Sequence, residues 1–260
     1  MPINYARTLT GGLRTGRADK QLGLALAFVA GAINAGGFLA VAQYTSHMTG
    51  IVSTMADNLA LGSIGLFWSA TGALATFLLG AVCSSTMVNF ARQRRMSSLY
   101  ALPLLLEAAL LLCFGVFGSQ FASIGRLPMP AIVMLLCFMM GLQNAVISKL
   151  SKSEIRTTHI TGTITDIGIE LGKALHRNAP GTPPQDRIVG NWGKLRFLAT
   201  LATLFFLGGV AGALGFKHLG YVATVPLAVL LIVLAGVPAI DDTAAVVRRW
   251  TRKWRDPPGN

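Results

Sequence analysis

The chain has 260 residues, of which 53% are hydrophobic and only 12% charged, about half the charge density of an ordinary soluble domain, so it needs lipid as its solvent. Its formal charge of +12 would suit a nucleic-acid binder, yet the basic residues cluster at the ends of apolar runs and no RNP, zinc-finger or basic-zipper pattern occurs, which sets nucleic acid aside. Cys83, Cys113 and Cys137 each lie inside an apolar run without the pair spacing of a zinc or iron–sulfur site, so no metal, cofactor or disulfide framework is expected.

Residues 1–21 form a basic arm carrying Arg7, Arg14, Arg17 and Lys20, with no apolar segment of the signal-peptide kind, so no cleaved leader is expected. Six stretches then reach the roughly 20 apolar residues that a bilayer core of about 30 Å demands. They are Leu22–Gln43, Ile64–Phe90, Leu99–Gly118, Pro130–Leu150, Leu195–Gly215 and Tyr221–Ile240. Backbone groups in lipid must be satisfied internally, and the ten-residue alternation of a membrane barrel is absent, so the expected fold is an all-α membrane protein with six transmembrane helices. Two three-span units, 22–118 and 130–240, are joined by an outer loop at 119–129 and followed by a basic tail at 241–260.

Lys and Arg divide unevenly between the two sides. The N-terminal arm holds 4, the segment after the second span 3, the stretch from Lys149 to Arg196 holds 8 and the tail 5, leaving Arg126 and Lys217 opposite. Positive charge stays inside, so both termini are read as cytoplasmic, in a multi-pass protein of the bacterial inner membrane.

The two units repeat one another. Gly31, Asn34 and Ala35 in the first span match Gly141, Asn144 and Ala145 in the fourth at an offset of 110. Ser46-His47-Met48-Thr49-Gly50 matches Thr158-His159-Ile160-Thr161-Gly162 at 112, and Phe77, Gly80 and Val82 match Phe205, Gly208 and Val210 at 128. Three spans per unit put the second in the membrane upside down relative to the first. Such inverted repeats recur in secondary transporters, where one half rocks against the other.

Each Thr-Gly motif precedes a segment too short to span, Ile51–Leu61 and Thr163–His176. These read either as half-helices capped by Thr49 and Thr161, whose positive ends favour an anion or a polar group, or as amphipathic connectors lying at the interface. Lys173, His176 and Arg177 are costly in the membrane core and favour the second reading.

The run from Glu154 through Arg156, His159 and Gly162 to Asp166, with Ser46–Gly50 and the Gly31–Ala35 box, resembles the YoaK-like family of bacterial membrane proteins over roughly residues 20–240. The resemblance implies a six-span membrane protein and no particular activity. Asn34 stands where the resemblance suggests Asp, which removes a proton-carrying group there.

Asn34 and Asn144 read as helix-packing groups beside small-xxx-small pairs or as solute contacts. The substrate-binding candidates are Asn34, His47, Thr49, Gly50, Asn144, Thr158, His159, Thr161 and Gly162. His47 and His159 read as solute contacts at matching places in the two motifs, or as side chains that simply close their loops. Glu107, alone among leucines and alanines in the third span, reads as a coupling group or as a structural hydrogen-bonding partner. Arg156 and Asp166 read as a gating ion pair, or separately as a topology charge and a first-turn acid. No hydrolase or metalloprotease motif occurs, so the chain is expected not to be an enzyme. The leading function is a transporter or permease for a small polar or weakly charged solute; a passive channel and an accessory subunit are the alternatives. The bilayer, the solute and further copies of the chain are the expected partners.

Overall fold

The computed structural model describes residues 16–94, 96, 98–123, 129–150 and 158–236, and these are helical apart from their connections. The helices are α1 (Gly16–Val41), α2 (Met48–Ala60), α3 (Ile64–Gln93), α4 (Ala101–Ser123), α5 (Met129–Leu150), α6 (Ile160–Leu175) and α7 (Trp192–Leu219), with 3₁₀ turns at Pro184–Asp186 and Gly220–Ala223. Residues 224–236 are also helical.

Five stretches are long and apolar enough to cross a membrane, the last of them, Trp192–Gly236, covering 45 residues. That last stretch is not one rod. Gly220 takes a φ of +59°, a conformation only glycine adopts cheaply. A Cβ placed on Gly215 would lie 3.1 Å from the Cβ of Ala223, whereas eight residues of continuous helix would hold the two about 12 Å apart. The chain therefore folds back on itself at Gly220. Phe114, Phe216 and Tyr221 pack around the turn, the two phenylalanines stacked and Tyr221 edge-on to both, with ring centroids 5.4–6.2 Å apart.

Two helix pairs dominate the packing, α1 with α7 and α3 with α5. Both run parallel. Phe28 meets Gly208, Ala32 meets Gly212 and Gly36 meets Phe216 in the first pair; Gly72 meets Met134 and Phe77 meets Gly141 in the second. Glycine permits the approach in each. A Cβ at Gly31 would collide with the carbonyl of Phe205 and one at Gly208 with that of Phe28, while Gly80 stands in the same relation to Phe138 and Gly141 to Phe77. Apolar burial gives helices little reason to associate in lipid, so close backbone contact at small residues carries the association. Lys149 secures the C-terminal end of the α3–α5 pair, donating to the Ser85 carbonyl at 3.0 Å and to Asn89 Oδ1 at 2.9 Å.

The pairs meet where α1 crosses α5 in the antiparallel sense: Gln143 reaches the Leu26 carbonyl at 3.4 Å and Leu136 covers Gly37. Leu26, Leu136, Met139, Met140 and Ile147 are buried there, and Leu104 and Leu111 of α4 and Leu231 of the terminal helical segment close the core. The outer face of α3 is left bare, with Leu66, Trp68, Leu78, Leu79 and Val82 more than half exposed, as a lipid-facing surface requires.

Gly80→Ala and Gly141→Ala should each destabilise the fold by about 1–3 kcal/mol, because the new methyl meets backbone that cannot rotate away. Gly168→Ala, where a Cβ meets nothing within 4 Å, should be neutral or stabilising by about 0.5–1 kcal/mol. Unfolding of the purified variants in detergent micelles measures both.

Candidate functional site

The Thr-Gly motifs build two corners of the same design. In the first, α1 ends at Val41 and Ala42 turns the chain at a φ of +53°, its N–H on the Phe38 carbonyl at 2.7 Å. A left-handed non-glycine residue costs about 1–2 kcal/mol, so the corner is held against local strain. Ser46 Oγ then donates to Asn34 Oδ1 at 2.8 Å, and in the second corner Thr158 Oγ1 donates to Asn144 Oδ1 at 2.6 Å. Both asparagines thus brace the turn that follows their own helix. The helix-packing role belongs to the glycines beside them.

His47 and His159 are the cap residues of α2 and α6, with φ, ψ of −92°, 72° and −88°, 57°. Their carbonyls accept from the N–H groups of Ile51 and Thr163, each at 3.1 Å. Neither imidazole makes a capping hydrogen bond; each lies over Gly50 or Gly162, where a Cβ would meet its Nδ1. Thr49 and Thr161 are therefore not the caps expected from the sequence. Each helix starts directly after its histidine, which puts the threonines in the first turn, exposed alongside His47 and His159. With 13 and 16 residues, α2 and α6 extend about 20 and 24 Å, short of a bilayer core.

The two corners are separate. The main packing of α2 is on α3 and that of α6 on α7, at opposite ends of the crossing α1 and α5. A cleft of about 250 Å³ opens at the first corner, between the stacked rings of Phe38 and Tyr44 and the His47, Gly50 and Thr54 edge of α2.

Glu107 sits on α4, fully buried, and neither carboxyl oxygen has a hydrogen-bonding partner among the described residues. Ser84 Oγ and Gln143 Oε1 are likewise buried and unpartnered among them. The sequence reading passes over Gln143, although a long amide inside a span, next to Asn144, is a visible signal. Such groups are costly in a dry interior.

Arg156 lies outside the described residues, and with it the expected pair to Asp166. Asp166 Oδ2 faces Lys194 of α7 at 3.8 Å. Because α6 begins at Ile160, Asp166 is in its second turn, beyond the reach of the dipole of the first. The stronger group is Glu170, which the sequence reading does not single out. It is 3% exposed, accepts from the Asn191 backbone N–H at 2.9 Å and from Lys173 Nζ at 3.1 Å, and faces Lys194 Nζ at 3.6 Å. The Asn191 N–H foremost, and then the Lys173 ammonium, hold its carboxyl below the usual carboxylate range. A depressed carboxylate contributes its stability above the unfolded group's range and loses it as pH falls through its own, so this anchor is intact at neutral pH and released by acid. Glu170→Ala should speed amide hydrogen exchange at Asn191 by about an order of magnitude at neutral pH, and the native protein should approach the variant as the buffer is acidified.

The fold and these buried polar groups define a multi-pass helical membrane protein. The chain belongs to the family described as "Protein of unknown function (DUF1275)", which matches residues 22–237. It is 27% identical over 194 residues to the UPF0700 transmembrane protein YoaK of Bacillus subtilis (strain 168), an alignment covering 73% of this chain and 80% of the relative. No solved structure matches it.

Proposed function

We propose that the protein is a six-span carrier built as two inverted three-helix repeats, 22–118 and 130–240, that moves a small polar or weakly charged solute across the bacterial inner membrane and performs no enzymatic chemistry. The sixth span is the segment that folds back after Gly220, and the basic arm and tail are cytoplasmic. The observation that carries the reading is a reciprocal exchange of contacts. Gly31 on Phe205 becomes Gly141 on Phe77 when each residue is replaced by its counterpart at offsets of 110 and 128, and Gly208 on Phe28 becomes Gly80 on Phe138 in the same way. The bracing bonds of Asn34 and Asn144 and the histidine caps obey the same exchange.

A scaffold whose halves trade places has two arrangements of similar energy, which alternating access needs. Each dominant pair takes one helix from each half, so the halves are interlocked. The moving units in this reading are therefore the pairs α1–α7 and α3–α5, replacing the simple rocking of one half against the other. The solute meets Asn34, His47, Thr49 and Gly50 from one side and Asn144, Thr158, His159, Thr161 and Gly162 from the other. Glu107, the only acid in α4, couples the movement to protons.

Reconstituted in liposomes, the protein should exchange or accumulate a solute found by screening metabolite classes, and Glu107→Gln should flatten the pH profile of that flux without altering unfolding. Flux with an unchanged pH profile would retain transport and remove the coupling role. Folded protein that neither binds nor moves any class would favour an accessory subunit.

A further inference from the structure

The halves differ most in the connections that leave their short helices. Three residues, 61–63, join α2 to α3, whereas 176–191 join α6 to α7. This longer connector is a built structure. Asn178 grips Ile188 twice, donating from Nδ2 to its carbonyl and accepting at Oδ1 from its N–H, both at 2.9 Å. Arg187 Nε donates to the Thr182 carbonyl at 3.2 Å. Gly190 lies so close to α6 that a Cβ would sit 2.9 Å from both the Ala174 methyl and the Glu170 carbonyl, and the Asn191 N–H is tied to the Glu170 carboxylate.

Closing residues 190 and 191 onto 170–174 gathers side chains from both ends of the connector. Leu175 is 82% exposed, Val189 72% and Trp192 59%. Large apolar side chains held this bare by an ordered loop, at the start of a membrane span, are matched to a lipid boundary rather than to water, and Trp192 has the amphipathic ring favoured at that depth. Cations accompany them. Lys173 and Lys194 are occupied by Glu170 and Asp166, but Arg177, Arg187 and Arg196 are exposed and meet no acidic partner among the described residues.

We infer that the connector 176–191, with Trp192 and Arg196 at the entry of α7, is a docking surface for anionic phospholipid: Leu175, Val189 and Trp192 enter the acyl boundary and the three arginines hold acidic headgroups above it. Charge complementarity selects this occupant, since zwitterionic headgroups offer the arginines no net attraction and acidic ones do. The surface has no counterpart in the first half, where the connection is too short to form one. It does not depend on what the bundle transports.

The test uses the full chain with Trp68, Trp250 and Trp254 replaced by Phe, leaving Trp192 as the reporter, in phosphatidylcholine nanodiscs doped with equal small fractions of dibrominated phosphatidylglycerol or dibrominated phosphatidylcholine. Bromine quenches only at contact. The acidic quencher should be enriched at Trp192 about fivefold over the zwitterionic one, the equivalent of about 1 kcal/mol. The preference should vanish in high salt and in the variant Arg177→Gln, Arg187→Gln, Arg196→Gln. Equal quenching by the two lipids in the arginine-bearing protein would overturn the proposal. Quenching by neither would also overturn it, showing that something other than lipid covers Trp192. Because the two lipids are compared on the arginine-bearing protein, misfolding of the triple variant would not change what that comparison decides.

Discussion

Everything else in this protein depends on backbone meeting backbone at five glycines in two helix pairs. Water drives apolar surfaces together in a soluble domain, but a lipid tail is as apolar as a leucine, so helices in a bilayer gain little by hiding side chains from it. They gain by fitting closely. Gly31, Gly208 and Gly212 bring α1 onto α7, and Gly80 and Gly141 bring α3 onto α5, at a separation that any side chain at those positions would forbid. The bare flank of α3 and the buried crossing of α1 and α5 follow from these two clamps.

The clamps also shape the functional reading. Each joins a helix from residues 22–118 to one from residues 130–236, so the two stretches of chain interdigitate as two mixed pairs. The crossing between pairs is made by side chains: Leu136 over Gly37, the buried Leu26, Met139, Met140 and Ile147, and one long hydrogen bond from Gln143, whose Oε1 has no partner among the described residues. In the proposed function the glycine contacts keep each pair together as a body, and the side-chain crossing between the pairs is what rearranges. The Glu107 carboxyl on α4 and Gln143 Oε1 on α5 are buried oxygens without partners among the described residues, and the proposed movement is what would supply them.

Much of this is legible in the sequence because it is local or periodic. Apolar runs mark the spans, and the matched boxes around Asn34 and Asn144 and around His47 and His159 mark the two corners. The partner of each span is not legible: Gly31 and Phe205 are far apart in the chain, and nothing near either says that α1 lies on α7 rather than on α3. Thr49 and Thr161 look like caps because threonine commonly is one, but tertiary structure commits Ser46 and Thr158 to the asparagines and starts each helix directly after the next histidine. Glu170 reads as an ordinary exposed acid on an amphipathic helix. Its burial depends on the connector folding back 21 residues later to place the Asn191 N–H against it.

The most direct test compares a cross-link within a pair with one between pairs, in protein whose Cys83, Cys113 and Cys137 are replaced. A Cβ on Gly209 lies 3.6 Å from that of Ala35, within the roughly 3.5–4.5 Å that a disulfide spans, so Ala35→Cys with Gly209→Cys ties α1 to α7. Gly37→Cys with Leu136→Cys, joined by a short bifunctional thiol reagent with a reducible spacer, ties α1 to α5 across the pairs. Solute flux in liposomes should survive the first link, stop on forming the second and return when that link is reduced. Flux that persists through the α1–α5 link, or that stops with the α1–α7 link alone, would contradict pairwise movement.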